Sequence, residues 1–230
     1  FLDQAIADHV KGLIITSAKA NGFIAGADVT EFTNLTDTSQ AHALISQGQK
    51  VLQNIAALPC PSLSLIHGFC LGGGAELSLA TRYRIADDDA KTRIGFPEVK
   101  LGIHPGFGGT VRLPPLVGAP AAMDLMLTGR SISARAAKKI GLIDYAVPTR
   151  QLKAAAVAQI LTQPAAQKAK GWKALSNHSI VRPLLARYLK HNVAKKAKQE
   201  HYPAPYAVID LWSRYADDQV KMYQEEAASC

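Results

Sequence analysis

Two glutamates, Glu76 and Glu98, stand 22 positions apart, each beside a glycine-rich bend. Glu76 follows the triplet Gly72, Gly73 and Gly74 in LGGGAELSLA, and Glu98 follows Pro97 in FPEVKLGIHPGFGG. Two carboxylates in different protonation states can divide acid–base work, one taking a proton while the other gives one. A helix opening at the triplet would turn its first N–H groups, and the positive end of its dipole, toward any oxygen gaining negative charge nearby. Each feature also has a plainer reading. The triplet is then a tight packing turn, and Glu98 a surface residue behind a proline. Glu76 becomes a first-turn acid that the helix dipole favours by about 0.3–1 kcal/mol. A phosphate cradle is disfavoured by spacing, because GGGAE gives neither the GxGxxG nor the GxxxxGKS/T pattern.

The segments that must hold these residues alternate between strand and helix signals. FLDQAIADHV reads as the end of an amphipathic helix and KGLIITSA as a buried strand. Leu44, Ile45, Val51, Leu52 and Ile55 recur at helical spacing over residues 38–57, and Pro59 ends that helix. SLSLIHG is a strand leading into the triplet, while YRIAD and TRIGF are short strands around the polar turn DDDAKT. PPLVGAPAAMDLMLTG predicts one helix. SISARAAKKIG predicts another, with Ser133 as N-cap and Gly141 just past its end. LIDYAV is a strand, and from Gln151 onward Ala- and Lys-rich helical stretches take over.

Composition bounds the rest. With 230 residues, 48% hydrophobic and 19% charged, the chain can bury a sizeable core and is not disordered. Its formal charge of +8 suits a polyanionic partner, whether nucleic acid, an acidic protein surface or a phosphate-rich ligand. Much of the excess sits at Arg187, Lys190, Lys195, Lys196 and Lys198, where a solvated helical face is the usual meaning. No aromatic-rich RNA-recognition motif or zinc-finger pattern accompanies it, so no nucleic-acid partner is expected. Cys60, Cys70 and Cys230 lack metal spacing and suit a reducing cytoplasm. No Asp, Glu, His or Cys cluster predicts a metal site. No apolar run reaches membrane-spanning length and no cleavable signal opens the chain. His67, at a strand end, reads as structural; His104, just past Glu98, is a pocket-wall candidate.

LGGGAELSLATRYRIA, FPEVKLGIHPGFGGTVRLPPLVG and the earlier GFIAGADVTEF (residues 22–32) together resemble the crotonase (enoyl-CoA hydratase/isomerase) superfamily. Within it, they are most similar to the hydratase part of bacterial multifunctional fatty-acid oxidation α-subunits. The resemblance implies an α/β fold, a ClpP/crotonase-like spiral of repeated ββα units with a C-terminal mostly helical region. It implies a hydratase core over 1–150, and over 151–230 a helical region like the linker to a dehydrogenase. Family members place further strands before this start, so the core is expected to be N-terminally incomplete. The separation of the glutamates is two residues longer than in many crotonases, which should lengthen the DDDAKT turn without moving the carboxylates.

By the same resemblance, Glu76 activates water, Glu98 exchanges the Cα proton, and the N–H groups of Ala27 and Gly73 form an oxyanion hole. Ala25, Gly26, Asp28 and Gly72 contact CoA or substrate. The implied reaction is reversible syn hydration of trans-2-enoyl-CoA in fatty-acid β-oxidation. CoA is then part of the substrate and no separate cofactor is needed. NAD would belong to a dehydrogenase domain, and no GxGxxG follows a strand in residues 151–230. The implied assemblies are a homo-oligomer or a complex with a thiolase β-subunit. The alternatives are Δ3–Δ2 enoyl-CoA isomerisation, which one carboxylate can perform, and a non-catalytic binding or assembly module.

Overall fold

The chain deals its first six strands alternately into two sheets. The computed structural model describes residues 2–26 and 37–230. Helix α1 (Leu2–Ala7) leads to strands β1 (Leu13–Ile15) and β2 (Gly22–Ile24), and α2 (Thr38–Ala56) follows. Next come β3 (Ser62–Ile66), β4 (Phe69–Leu71) and α3 (Gly73–Ala80). Then β5 (Tyr83–Asp87) and β6 (Arg93–Gly95) run into a 3-10 turn at Pro97–Leu101. Helices α4 (Gly109–Val117) and α5 (Ala119–Thr128) precede β7 (Ser131–Ser133), α6 (Ala134–Ile140) and β8 (Tyr145–Val147). Beyond a 3-10 turn at Thr149–Gln151 the chain is helical: α7 (Leu152–Thr162), α8 (Trp172–Leu175), α9 (Arg182–Ala194), α10 (Ala204–Tyr215) and α11 (Gln219–Ser229).

One sheet has the order β1-β3-β5-β8 and is parallel throughout. The other has the order β2-β4-β6-β7, parallel except for the β6–β7 pair. The pairs β1–β2, β3–β4 and β5–β6 are each followed by helix, which is the repeated ββα unit of the spiral. SLSLI and YRIAD are buried at all five positions, the burial that parallel strands covered on both faces require.

This pairing explains how two glutamates distant in sequence converge. β4 and β6 lie parallel with Leu71 opposite Gly95, and the N–H of Gly72 donates to the Gly95 carbonyl at 3.0 Å. Their C-terminal ends therefore stop side by side. α3 starts from one end and the 3-10 turn from the other, so their first turns are neighbours. The long polar turn lies at the opposite end of β6, where the Asp89 carboxylate accepts the Lys91 N–H at 2.7 Å. A lengthened turn there would leave the carboxylate end of β6 untouched.

Two elements differ from the sequence reading. PPLVGAPAAMDLMLTG is split between two helices, because Gly118 takes φ 88° between α4 and α5. A Pro in the first turn of the second helix suits such a restart. The SIS tripeptide pairs with β6 as a strand before α6 begins. Ser133 caps α6 through the Ala136 N–H, and Gly141 closes it in the left-handed region.

A single apolar cluster joins both sheets to the C-terminal helices. Phe23, Ile66, Ile94, Phe96, Leu113 and Trp212 are all buried in it. Trp212 of α10 is fully buried, and its indole N–H donates to the Asn177 side chain at 3.0 Å. Helices α9, α10 and α11 therefore pack into the same interior as the strands.

Candidate active site

The glycine triplet has two separate uses. Gly72 ends β4 at φ 53°, a region that side-chain-bearing residues rarely enter, and a Cβ there would approach Glu98 Oε1 to 3.1 Å. Gly74 instead lets α3 lie against β2: a Cβ would come within 2.4 Å of the Ile24 carbonyl oxygen. Close approach at Gly74 is thus to protein, and the packing reading describes it. Gly73 is the first residue of α3, where an N–H has no partner within the helix.

Glu76 lies in that first helical turn and is 2% exposed. Its Oε1 accepts the N–H of Phe107 at 2.8 Å and of Gly109 at 2.7 Å. Burial pushes its pKa up to about 7, against the pull of those two N–H groups and of Arg112. Glu98 is held differently. Both of its carboxylate oxygens are buried, and neither has a hydrogen-bond partner among the described residues. Burial, reinforced by the charge of Glu76, pushes its pKa up to about 8. The two carboxylates face one cavity of about 360 Å³, which Ala25, Gly26, Gly72 and Gly73 also line.

Sequence reading named all six of these residues, and the fold brings them to one cavity. Ala27 and Asp28, expected as second oxyanion donor and substrate contact, lie outside the described residues. His104 does line the cavity. It is 1% exposed, burial favours its neutral form, and its ring meets the Pro105 carbonyl at 2.8 Å and the Ser229 hydroxyl at 3.1 Å. His67 sits 2.9 Å from the Lys19 carbonyl and does not line the cavity.

What the sequence reading missed is a third carboxylate buried beside this pair, Glu226 on α11. Its signal was an acid one helical turn after Met222, on the same buried face. By its resemblance the stretch reads as linker.

A pH dependence of stability follows. Glu76 and Glu98 titrate from 4.5 in the ordinary state up to about 7 and about 8 in the fold. Between those limits the folded chain binds more protons than the unfolded one, so their stabilising contribution falls as pH rises through the window. The urea midpoint should be higher at about pH 6 than at about pH 8.5, and Glu98→Gln should flatten that slope. A midpoint rising across the window would contradict the assignment.

Comparison with known proteins gives a consistent picture. The enoyl-CoA hydratase/isomerase family model matches residues 2–202. The fatty acid oxidation complex subunit alpha of Aliivibrio fischeri is 41% identical over 215 residues, covering 93% of this chain. The chain spans only 31% of that protein's length. The crystal structure of enoyl-CoA hydratase from Bacillus anthracis superposes with a TM-score of 0.63 at 28% identity, covering 90% of this chain and 78% of that one. Enoyl-CoA hydratase from Thermoplasma volcanium superposes with a TM-score of 0.65 at 25% identity, covering 95% and 82%. Among the described residues no helix is long and apolar enough to cross a membrane.

Proposed function

The chain belongs to the enoyl-CoA hydratase/isomerase family, and from that premise we propose that it hydrates trans-2-enoyl-CoA reversibly to 3-hydroxyacyl-CoA. The observation that carries this reading is the unequal treatment of two carboxylates facing one cavity. Glu76 has donors on one oxygen, which favour its ionised form, and Glu98 has none among the described residues. The pair therefore holds one proton ready to give and one oxygen ready to receive.

In hydration, the water oxygen bonds to Cβ while Glu76 takes its proton. The alkene electrons move toward Cα and onto the thioester oxygen, which becomes enolate-like. The Gly73 N–H stabilises that oxygen, joined on the family's pattern by the Ala27 N–H. A donor of this kind is worth about 2.7–4 kcal/mol in other enzymes. Glu98 then gives its proton to Cα as the carbonyl re-forms, and the proton held by Glu76 returns to Glu98 through the next bound water. Water and proton arrive from carboxylates facing the same cavity, so the addition is syn. CoA enters as part of the substrate, with Ala25, Gly26, Asp28 and Gly72 as its contacts.

Residues 1–150 form the catalytic core in this reading, and 151–230 a helical region that packs on it. The oxidation-complex relative supports fatty-acid β-oxidation as the setting, with assembly beside a thiolase-type subunit or a further copy. The free thiols of Cys60, Cys70 and Cys230 suit the cytoplasm. Mixing the chain with crotonyl-CoA should bleach the absorbance of the conjugated enone. A folded sample that binds acyl-CoA and leaves the absorbance unchanged would sink the hydratase reading. A 3-enoyl-CoA substrate run in parallel reports isomerisation, which needs only one of the two carboxylates.

A further inference from the structure

We infer that Glu226 is a positioning residue for the carboxylate pair: it braces the turn that holds Glu76, and its carboxylate stands against the ionisation of Glu98. The inference rests on the hydratase reading for its catalytic meaning, although its geometry stands alone. Residues 107–110 form a glycine-rich turn at the start of α4 whose successive N–H groups point alternately to two acids. Phe107 and Gly109 donate to Glu76 Oε1. Gly108 donates to Glu226 Oε2 at 2.8 Å and Thr110 to Glu226 Oε1 at 3.1 Å. The Thr110 hydroxyl adds a bond at 2.5 Å and the Gln49 amide one at 3.0 Å. Glu226 is wholly buried and lies beyond residues 2–202, the span the family model matches.

The donors rank the three acids. Hydrogen bonds to a carboxylate favour its charged form. Glu226 receives four, Glu76 two on a single oxygen, and Glu98 none among the described residues. Burial and the charge of Glu76 still push Glu226 up to about 8, so it ionises in the range where Glu98 does, and its charge there opposes loss of the Glu98 proton. The charges of Glu76 and Glu226 both oppose ionisation of Glu98, after burial itself.

The titratable groups about Glu226 are Glu76 on α3, Glu98 on the 3-10 turn, Arg112 on α4, Tyr223 on α11 and Cys230 after it. His104 meets the same helix at Ser229. Arg112 gives its Nη1 to the Phe107 carbonyl at 3.0 Å and stacks over the Tyr223 ring. Of the other elements packed on α11, α2 carries His42 and Lys50 and α10 carries Asp210 and Arg214. His42, Lys50 and Arg214 are exposed, as are Asp218 and Lys221 of α11's own first turn, with Glu225 half-buried. Asp210 is paired with Lys190 at 2.7 Å. Among the described residues no Lys, Arg or His forms an ion pair with Glu226.

The test is a carboxyl-carbon NMR titration of glutamate-labelled chain, with Glu98 assigned by its loss in Glu98→Gln. Glu226→Gln should lower the Glu98 midpoint by about 1 pH unit, and with it the alkaline limb of kcat for hydration. Its rate deficit at about pH 8 should then exceed that at about pH 6 by roughly fivefold. Thr110→Val, which keeps the carboxylate but removes one donor, should move the midpoint the same way by less. If Glu226→Gln fails to fold, the Thr110→Val midpoint decides. A bracing role alone would lower stability and rate with an unmoved midpoint and an unmoved limb, and that result overturns the inference. The titration needs no substrate: a moved midpoint in a chain that never hydrates would sink the hydratase reading and uphold Glu226, and the converse pattern would do the reverse.

Discussion

Replacing Glu98 with glutamine cuts hydration of crotonyl-CoA by about 10²–10⁴-fold, the usual contribution of a positioned acid or base, while acyl-CoA binding changes little. The two effects separate because of how Glu98 is held. With its pKa pushed up to about 8, the side chain is mostly neutral near pH 7, so a neutral amide of the same shape leaves the charge of the site almost unchanged. The amide cannot release an acidic proton to Cα. Nor does the swap break a hydrogen bond, since neither oxygen has a partner among the described residues. Loss should therefore appear in kcat and kcat/KM alike, the signature of an interaction made only in the transition state. Equal turnover in the variant would remove Glu98 from the mechanism. A large loss of acyl-CoA affinity would instead mean that Glu98 holds the ground state.

Gly74→Ala should cost about 1–3 kcal/mol of stability, as overpacking does. The added Cβ meets backbone and β-branched side chain of Ile24, at 2.4 Å from the carbonyl oxygen and 2.6 Å from Cβ, and neither can rotate away. Helix α3 must then lift from β2. That motion carries the Gly73 N–H and Glu76 off their positions, so hydration should fall by about 10²-fold or more, as when an oxyanion donor is lost. Urea titration and crotonyl-CoA turnover on the same preparation read both effects. Unchanged stability would mean that the contact between α3 and β2 relaxes freely. Unchanged turnover in a destabilised variant would uncouple the Gly73 N–H from the chemistry.

Much of the site was legible because its parts lie at the ends of short, strongly marked segments. The apolar runs SLSLI and YRIAD announced buried parallel strands, and a triplet of glycines directly after a strand marked a backbone turn into helix. Pairing β4 with β6 then does the remaining work, since a parallel register aligns two C-terminal ends without any long-range signal in the residues between. The split at Gly118 was less legible. Glycine inside an apolar helical run is tolerated often enough that only its φ of 88° in the fold decides the break. Glu226 was the hardest to see. An acid in QEEAAS looks like any solvated helix position until α11 is known to lie against the turn at residues 107–110. Whether a carboxylate is buried depends on that packing, and nothing local encodes it.

The turn at residues 107–110 is gripped by one acid 31 positions before Phe107 and by another 116 positions after Thr110. On a ribosome these two grips cannot be made together. Glu76 emerges ahead of the turn and can meet it as soon as it appears, whereas Glu226 emerges only after four of the C-terminal helices have left the tunnel. Until then water must occupy the donors of Gly108 and Thr110, and the turn has support from one side alone. The strands can pair well before this moment. The acid pair acquires its final electrostatic setting only when α11 closes the other side, so the chain gains its shape earlier in its life than its chemistry.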